Sequence, residues 1–376
     1  MMISRKVRLL PNKSQEEWLK QNCGVARFIY NFSLNRKETA YREQGISLGQ
    51  KEIMRQVTDM KYTSEYEWLQ GYNSETIKQA VKDMLAAYKN FFKRGNKGFP
   101  RFKKKGKCKE SFYVRYDSIY SVDERHLKFP SLKSYMKVSE PLSIIKGTIK
   151  NPRVSFDGKY WYLSFSYKFE PTLEENTSEP IGIDLGIKEL AVTSSGVFYS
   201  NINKTRVVKN LELRKRRLQR RISRAYEKNK EGNKYVKTKN IIKLEKKLKL
   251  ICRRLSNIRK TYIQTVTTEI VKTKPSCIVM EDLSISNMMK NRYLSKAIQD
   301  QMWYYFRHCI EYKSQGYGLF FKLAPRTYPS SKKCSCCGNK KKFLSLSERT
   351  YRCSNCDFII DRDLNASINL RNLAFS

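Results

Sequence analysis

Apolar residues in the first half of the chain follow a helical repeat in two segments and then a strand-like alternation. A helix is predicted over 14–40, opened by a capping box in which Ser14 precedes Glu17. A second helix is predicted to begin at Ser74 and to end before Pro100, because proline cannot continue a helix. The strands predicted after it are 112–114, 144–149 and a hairpin over 154–167 with an Asp157-Gly158 turn.

The second half of the chain predicts three strands followed by long helices. The predicted elements are strands at 181–185, 190–194 and 197–200, a helical stretch over 210–272 broken near 231–233, a strand at 276–280, a helix carrying Ile298, Met302, Phe306 and Ile310, a strand at 319–323 and a last helix from about Leu364. The strand at 276–280 is apolar throughout, which is typical of a strand buried on both faces. This order predicts a mixed α/β domain built on one central sheet.

The net charge of the chain limits the kinds of protein that it can be. The 376 residues include 76 Lys and Arg against 35 Asp and Glu, a formal net charge of +41, while 40% of the residues are hydrophobic. Such a chain is globular rather than a disordered basic tail, and it needs an anionic partner. Forty-one charges match roughly 70 Å of duplex nucleic acid, about 20 base pairs. The excess of basic over acidic residues argues against an ordinary small-molecule enzyme, whose surface is only mildly charged.

The cellular location of the protein is predicted from the segments that the sequence lacks and from its cysteines. We find no apolar run of about 18 residues and no secretion signal at the N-terminus, so no membrane partner is expected. Ten cysteines in such a chain favour thiols or a metal site over disulfides, and they indicate the inside of a cell.

Residues 170–179 carry four Glu and neither Lys nor Arg, which indicates a linker or domain boundary.

The cysteines of the last quarter follow the spacing of a structural zinc site. Cys334 and Cys337 are separated by two residues, as are Cys353 and Cys356, with fifteen residues between the pairs. Four thiolates at this spacing close a tetrahedral Zn²⁺ site. Cys336 lies inside the first pair, and it remains open here whether it replaces Cys337 as a ligand.

Carboxylates occur at three places where a strand or helix ends or begins. Asp184 alternates with Gly182 and Gly186 on one face of a predicted strand, an arrangement that leaves bare backbone for a phosphate. Glu281, followed by Asp282, ends the apolar strand at the carboxyl edge where open α/β sheets bind ligands. Asp361 and Asp363 precede the last helix, and one of the two is expected to cap it.

Taken together, the acids indicate a site for hard cations. Carboxylate ligands without histidine favour Mg²⁺ or Mn²⁺, and two such ions about 4 Å apart can hydrolyse a phosphodiester. The two histidines, His126 and His308, lie in no recognisable catalytic motif. Taken singly, an outward Asp or a charged strand end is more typical of a solvated surface.

In this combination the chain resembles the TnpB (OrfB) family of bacterial insertion sequences. The resemblance rests on Asp184, on Glu281, on the cysteine pairs placed just before 361–366 (Asp-Arg-Asp-Leu-Asn-Ala), and on 30–34 and 98–103 in the N-terminal half. Departures from the family pattern are Asp357 after the last cysteine, Ser367 in place of Ala, and the additional Cys336. None of them removes an acid.

The resemblance implies an RNA-guided DNA endonuclease with a RuvC-like nuclease domain of the RNase H fold. It implies that Asp184, Glu281 and Asp363 are catalytic acids that bind Mg²⁺ or Mn²⁺, and that the four cysteines bind Zn²⁺. The implied organisation is an N-terminal β-barrel-like wedge with a helical recognition insertion over 1–170, a linker over 171–180, the nuclease over 181–333 and 357–376, and a zinc module over 334–356. The implied partners are a guide RNA encoded by the transposon end and double-stranded target DNA, bound by a monomer or weak dimer near the bacterial nucleoid.

Two basic segments are the predicted nucleic-acid contacts. They comprise Arg101, Lys103, Lys104 and Lys105 in the first half, and Arg214, Arg216, Arg217, Arg220 and Arg221 in the second. The second segment lacks the acids at a spacing of four that would neutralise a solvated helix face, so contact with phosphates is expected. Phe99, Phe102 and Tyr113 lie among basic neighbours, where base stacking and an ordinary core role are equally compatible with the pattern.

Two other functions fit the same residues. A DNA-binding regulator would keep the fold but have inert acids, and Mg²⁺-dependent cleavage lost in Asp184→Ala would exclude it. A DNA transposase would use the same three acids for strand transfer, and it would bind transposon ends without any RNA.

Overall fold

The computed structural model describes residues 2–93, 98–170, 178–345 and 347–375, which form two compact units, 1–169 and 170–376. Most of the predicted linker, 171–177, lies outside the described residues. Among the described helices, none is both long and apolar enough to cross a membrane.

The described residues of the first unit combine one antiparallel sheet with three α-helices. Its elements are β1 (Met2–Leu10), α1 (Lys13–Gln44), α2 (Gln50–Met60), α3 (Ser74–Phe92), β2 (Glu110–Tyr113), β3 (Tyr120–Asp123), β4 (His126–Lys128), β5 (Met136–Val138), β6 (Ile149–Phe156) and β7 (Trp161–Lys168). The strand order is β2-β6-β7-β1-β5-β4-β3, and the two end strands do not pair with each other among the described residues. The barrel-like region expected from the resemblance is therefore an open sheet.

Two local predictions in this unit are corrected by the structure. The N-cap of α1 is Asn12 rather than Ser14: its Oδ1 accepts the backbone N–H of Gln15 at 2.9 Å, and the Gln15 side chain accepts the Asn12 N–H. The segment 144–148 is not a strand. Ile144 is buried as its apolar pattern suggests and bonds to Ser121 of β3, but one of these two bonds goes to the Ser121 hydroxyl and the segment forms no strand ladder.

The second unit is built on one five-stranded sheet. Its elements are β8 (Ile181–Leu185), β9 (Glu189–Thr193), β10 (Phe198–Ser200), α4 (Arg206–Lys228), β11 (Lys230–Glu231), β12 (Lys234–Tyr235), α5 (Lys239–Lys272), β13 (Cys277–Glu281), α6 (Ile285–Met288), α7 (Ser295–Gln301), α8 (Trp303–Gly316), β14 (Phe320–Ala324), β15 (Thr350–Arg352), β16 (Ile359–Asp361) and α9 (Arg362–Asn372). The order is β10-β9-β8-β13-β14, with β13 parallel to both β8 and β14. The predicted mixed α/β class is confirmed.

The helices of this unit cover the sheet and form a hairpin. Helices α5 and α8 pack on the sheet through a core that includes Ile183, Met280 and Phe306. The predicted break near 231–233 is present as a short β11–β12 hairpin between α4 and α5, with Gly232 at φ 55°. The single helix predicted around Met302 is two helices, because Met302 itself is left-handed at φ 54°.

Candidate active site and cysteine cluster

The predicted acids meet at one edge of the central sheet. In the parallel pairing of β8 with β13, Ile183 is opposite Met280, so Asp184 and Glu281 are the next residues along two neighbouring strands. Helix α9 packs on the same face, with Leu370 against Val279 of β13. Asp363, in the first turn of α9, is close enough to Asp184 to affect its ionisation. We call Asp184, Glu281 and Asp363 the acid site.

Three closely spaced carboxylates, two of them with raised pKa values, favour binding of a cation at the acid site. Burial, followed by the charges of Glu281 and Asp363, raises the pKa of Asp184 well above its ordinary value. Burial also raises the pKa of Glu281. A divalent cation would remove this penalty, and a set of carboxylate oxygens without histidine or thiolate suits Mg²⁺ or Mn²⁺. The donor set therefore fits the ion implied by the resemblance.

Glycine has a different role beside Asp184 from the one predicted. A β-carbon at Gly182 would overlap the backbone of α9 at Ser367 and Arg371. The face of β8 at Gly182 is thus covered by α9 and not open to a phosphate. This close contact is what brings Asp363 to the strand that carries Asp184.

Two of the neighbouring acids have structural partners. Asp361 is the N-cap of α9, and its Oδ1 accepts the backbone N–H groups of Asp363 at 2.9 Å and Leu364 at 3.1 Å. Asp282 accepts hydrogen bonds from Arg307 at 2.9 Å and Arg326 at 2.6 Å. The hydrogen bond from Arg326 lowers the pKa of Asp282.

Ser330 is a site residue that the sequence did not reveal. Its hydroxyl donates a hydrogen bond to Oε1 of Glu281, and the residue is 4% exposed. Ser330 lies in the loop between β14 and the first cysteine, where neither spacing nor alternation distinguishes it from its neighbour Ser331. Only the folded structure brings it to Glu281.

The four predicted cysteines form one cluster. The sulfur atoms of Cys334, Cys337, Cys353 and Cys356 all lie within 4.8 Å of one another. The Sγ–Sγ distances are 3.7 Å for Cys334–Cys356 and 3.5 Å for Cys337–Cys353. A tetrahedral ion with Zn–S bonds of about 2.3 Å places its sulfurs about 3.8 Å apart, so the residues fit Zn²⁺. We call these four residues the cysteine cluster.

A backbone hydrogen bond within the cysteine cluster favours the thiolate of Cys353. The backbone N–H of Asn355 points to Cys353 Sγ at 3.4 Å and is the main cause of a pKa lowered to about 6. Of the two cysteines left open by the spacing, Cys337 belongs to the cluster and Cys336 does not. Asp357, one of the departures from the family pattern, is left-handed at φ 52°.

The predicted basic contacts differ in exposure. Arg214, Arg216, Arg217, Arg220 and Arg221 are all exposed on α4, and within the described part of the chain none of them is in an ion pair. The opposite face of α4 packs on α5 through Val208, Leu211 and Leu255. The arginines therefore form an unneutralised cationic surface.

The first-half basic segment is only partly exposed. Arg101, Lys104 and Lys105 are exposed. Lys103 is half-buried with Nζ 3.7 Å from the centre of the Tyr30 ring, and the Asn31 side chain bonds both its backbone N–H and its carbonyl. Burial lowers the pKa of Lys103. Phe99 packs edge-on against Tyr88 and Phe91 while remaining 47% exposed.

Family models match three parts of the chain. They are described as Helix-turn-helix domain over residues 1–45, Probable transposase over 164–292, and Cas12f1-like, TNB domain over 303–370. In the structure, residues 1–45 contain a strand and one long helix. The cysteine cluster lies in the segment matched by the third family.

Whole-length relatives are found among curated proteins. The chain is 30% identical over 97% of its length to "Putative RNA-guided DNA endonuclease InsQ" of Escherichia coli (strain K12), covering 90% of that protein. It is 28% identical over 97% of its length to a protein of Streptomyces pristinaespiralis named "Putative RNA-guided DNA endonuclease", covering 87% of it.

A solved structure shares the fold. The cryo-EM structure of the Cas12f1-sgRNA-target DNA complex matches 96% of this chain and 83% of that chain with a TM-score of 0.57 at 17% sequence identity. At this identity the likeness concerns the architecture.

Proposed function

We propose that this chain, which belongs to the TnpB (OrfB) family of transposon-associated proteins, is an RNA-guided endonuclease that hydrolyses phosphodiesters of double-stranded DNA. The observation that carries the proposal is the meeting of Asp184 and Glu281 on parallel neighbouring strands, with Asp363 of α9 beside them. The relatives named RNA-guided DNA endonuclease support RNA and DNA as the partners.

In this proposal the acid site holds Mg²⁺ or Mn²⁺. Asp184, Glu281 and Asp363 supply the ligands, and Ser330 fixes the orientation of the Glu281 carboxylate. Such ions, when bound in a pair, activate water and stabilise the leaving oxygen of a phosphodiester. Asp361 keeps the first turn of α9 in place and so holds Asp363 toward Asp184. Both strands of the target would be cut at this one site.

Each part of the chain is proposed to serve this reaction. Residues 1–170 form the wedge and recognition region, 181–333 and 357–376 form the RuvC-like nuclease, and 334–356 form a structural Zn²⁺ module. The exposed arginines of α4 would bind phosphates of the guide or of the guide–target duplex, with sequence read by base pairing.

The proposed source of the guide RNA and the proposed place of action in the cell follow from these partners. The guide RNA would be transcribed from the transposon end, and the protein would work as a monomer or weak dimer at the bacterial nucleoid, where its target DNA lies. A noncoding RNA of defined sequence should copurify with the chain from its native host. Recovery of random cellular RNA would contradict a dedicated guide.

A cleavage assay with two matched variants tests the proposed function. The full chain with its copurified RNA should cut DNA that matches the guide when Mg²⁺ is present, and Asp184→Ala should lose all measurable cleavage. Glu231→Ala, which removes an exposed carboxylate on the β11–β12 hairpin of the same unit, should cut at the wild-type rate. Cleavage that survives Asp184→Ala would overturn the site.

The same assay separates the two other functions. Guided binding of DNA without cleavage by the wild-type chain would indicate a regulator with inert acids. Joined DNA products formed at transposon ends without RNA would indicate a transposase.

A further inference from the structure

Two buried asparagines of α9 connect the acid site to the cysteine cluster. Asn365 and Asn369 are one helical turn apart and are 0% and 1% exposed. Neither touches an acid or a cysteine side chain among the hydrogen bonds of the described residues; both bind backbone groups of 330–335, the segment that leads from Ser330 to the first cysteines. We call 330–335 the connecting segment.

Asn365 binds the end of the connecting segment at the cysteine cluster. Its Nδ2 donates to the Lys333 carbonyl at 2.7 Å, and its Oδ1 accepts the backbone N–H of Ser335 at 2.9 Å. Lys333 and Ser335 flank Cys334 on both sides. The side chain therefore fixes the backbone that presents the first thiol of the cluster.

Asn369 binds the end of the connecting segment at the acid site. Its Nδ2 donates to the carbonyl of Ser330 at 2.8 Å and to that of Lys333 at 2.7 Å. The hydroxyl of Ser330 in turn donates to Glu281. A single amide thus sets the position of the residue that orients an acid-site carboxylate.

The helix that carries these asparagines also carries Asp363. When the cysteine cluster closes around an ion, it fixes Cys334, and the two amides transmit that position to Ser330 and hence to Glu281. Buried amides leave little freedom, because an unpaired backbone carbonyl in this interior would cost the full desolvation of that group. Ordering either end of the connecting segment therefore favours the ordered state of the other.

We propose that Asn365 and Asn369 are positioning residues that couple the two metal sites, so that an ion in the cysteine cluster and a divalent cation at the acid site each strengthen binding of the other. The inference rests on the proposed function of the acid site. Thermodynamic linkage requires the effect to be equal in both directions. Substitution of groups that orient metal ligands typically weakens metal affinity about 10- to 100-fold, which sets the expected size.

The test measures Mn²⁺ affinity by electron paramagnetic resonance on the full chain without RNA, in high salt. Compared with wild type, Asn365→Ala, Asn369→Ala and Cys337→Ser should each weaken Mn²⁺ binding about tenfold. Asn372→Ala, which changes an exposed asparagine at the end of the same helix, should bind like wild type. Circular dichroism of each variant checks that the fold is retained.

Zinc release provides the reciprocal measurement. Transfer of Zn²⁺ from the protein to a chromogenic chelator should slow several-fold when saturating Mn²⁺ is added to wild type, and this effect should vanish in Asn369→Ala. A merely structural asparagine would change the melting temperature without removing the dependence of one metal on the other. High Mn²⁺ should restore cleavage by Asn369→Ala, whereas a folding defect would not be restored.

The outcomes distinguish this inference from the proposed function. If Mn²⁺ binding to wild type is absent or is not lost in Asp184→Ala, the assignment of the acid site is wrong, and the proposed coupling is overturned as well. If Mn²⁺ binding depends on Asp184 but is unchanged in Cys337→Ser and Asn369→Ala, the coupling alone is overturned. Should Cys337→Ser fail to fold, the two asparagine variants, measured with zinc bound, decide the question.

Discussion

Gly182 of β8 lies against Ser367 of α9 so closely that a β-carbon at position 182 would overlap the Ser367 carbonyl oxygen. Because that obstacle is helix backbone and not a flexible side chain, α9 would have to move as a whole. Asp363 is on this helix and Asp184 is two residues beyond Gly182, so the contact controls the distance between two members of the acid site.

Gly182→Ala is therefore expected to reduce both stability and cleavage. Overpacking of this kind costs about 1 to 3 kcal/mol, and a rigid backbone obstacle favours the upper end. Urea unfolding and guided cleavage on the full chain measure the two effects. Gly316→Ala, at the end of α8 with nothing within 4 Å of the added carbon, is the matched control and should be close to wild type. A Gly182→Ala variant as stable as this control would contradict the packing argument.

Sequence pattern predicted those features that depend on neighbours along the chain. The strand carrying Asp184 follows from strict alternation, and the cysteine cluster follows from the spacing of its pairs. The pattern could not predict Ser330, whose role depends on a strand some fifty residues earlier in the chain. It also failed at Met302, because the apolar repeat continues through a residue whose backbone is left-handed.

Gly182 shows why the sequence predicts the surroundings of Asp184 wrongly. Alternation correctly placed Gly182 on the face of Asp184, but it gave no information about what covers that face. The open backbone predicted there is occupied by α9, a helix almost two hundred residues later. Local pattern determines which way a residue points, whereas long-range packing determines what it meets.

The cysteine cluster predicts a sharp difference between adjacent cysteines. Cys337→Ser removes one of four converging sulfurs, so the purified variant should lose the zinc measured by mass spectrometry of the metal and should melt at a lower temperature. Cys336→Ser changes an exposed thiol outside the cluster and should keep one zinc per chain. Equal zinc contents in the two variants would show that the two thiols exchange as ligands.

An ion pair in the first unit predicts a dependence of stability on pH. Arg153 of β6 donates two hydrogen bonds, at 2.8 Å and 2.6 Å, to the two carboxylate oxygens of Asp83 on α3. Burial opposes the charged form of Asp83, but the hydrogen bonds from Arg153 and Gln79 outweigh it and leave its pKa below the ordinary value. The pair therefore stabilises fully above the ordinary carboxyl pKa, and the stabilisation is lost as pH falls through the lowered pKa.

Asp83→Asn should accordingly destabilise the chain at neutral pH by about 1 to 2 kcal/mol and make its stability less sensitive to acid. Thermal melts between neutral and acidic pH measure both effects. Asp117→Asn is the control, because Asp117 forms the same kind of pair with Arg115 on the surface, between residues two apart, and the variant should be nearly as stable as wild type. Parallel pH profiles for Asp83→Asn and wild type would exclude the proposed contribution.

The exposed arginines of α4 predict a change in the salt dependence of RNA binding. Arg214, Arg217 and Arg221 recur at intervals of three and four residues, which places them in one stripe along the helix. If each contacts a phosphate, replacing the three with Gln should weaken binding and reduce the slope of log affinity against log salt by about 2.

Equal loss of charge elsewhere serves as the control for this stripe. Lys20, Arg42 and Lys78 each already face a carboxylate, so their triple Gln variant removes the same net charge from a neutralised surface. It should leave the salt slope close to that of wild type. Identical slopes in the two triple variants would mean that RNA responds to total charge and not to the α4 surface.

The net charge of +41 predicts how the chain behaves without its RNA. This excess binds any polyanion, and at low ionic strength residual cellular nucleic acid bridges several molecules, so the chain purified without its guide should precipitate or aggregate. Addition of the guide RNA should restore a monodisperse particle in light scattering, whereas an equal mass of unrelated RNA should give mixed complexes. Because the α4 arginines are unpaired in the described structure, the triple Gln variant of that stripe should need less salt to stay in solution than wild type does. A wild-type chain that stays monodisperse at low salt in the presence of unrelated RNA would contradict this account of the excess charge.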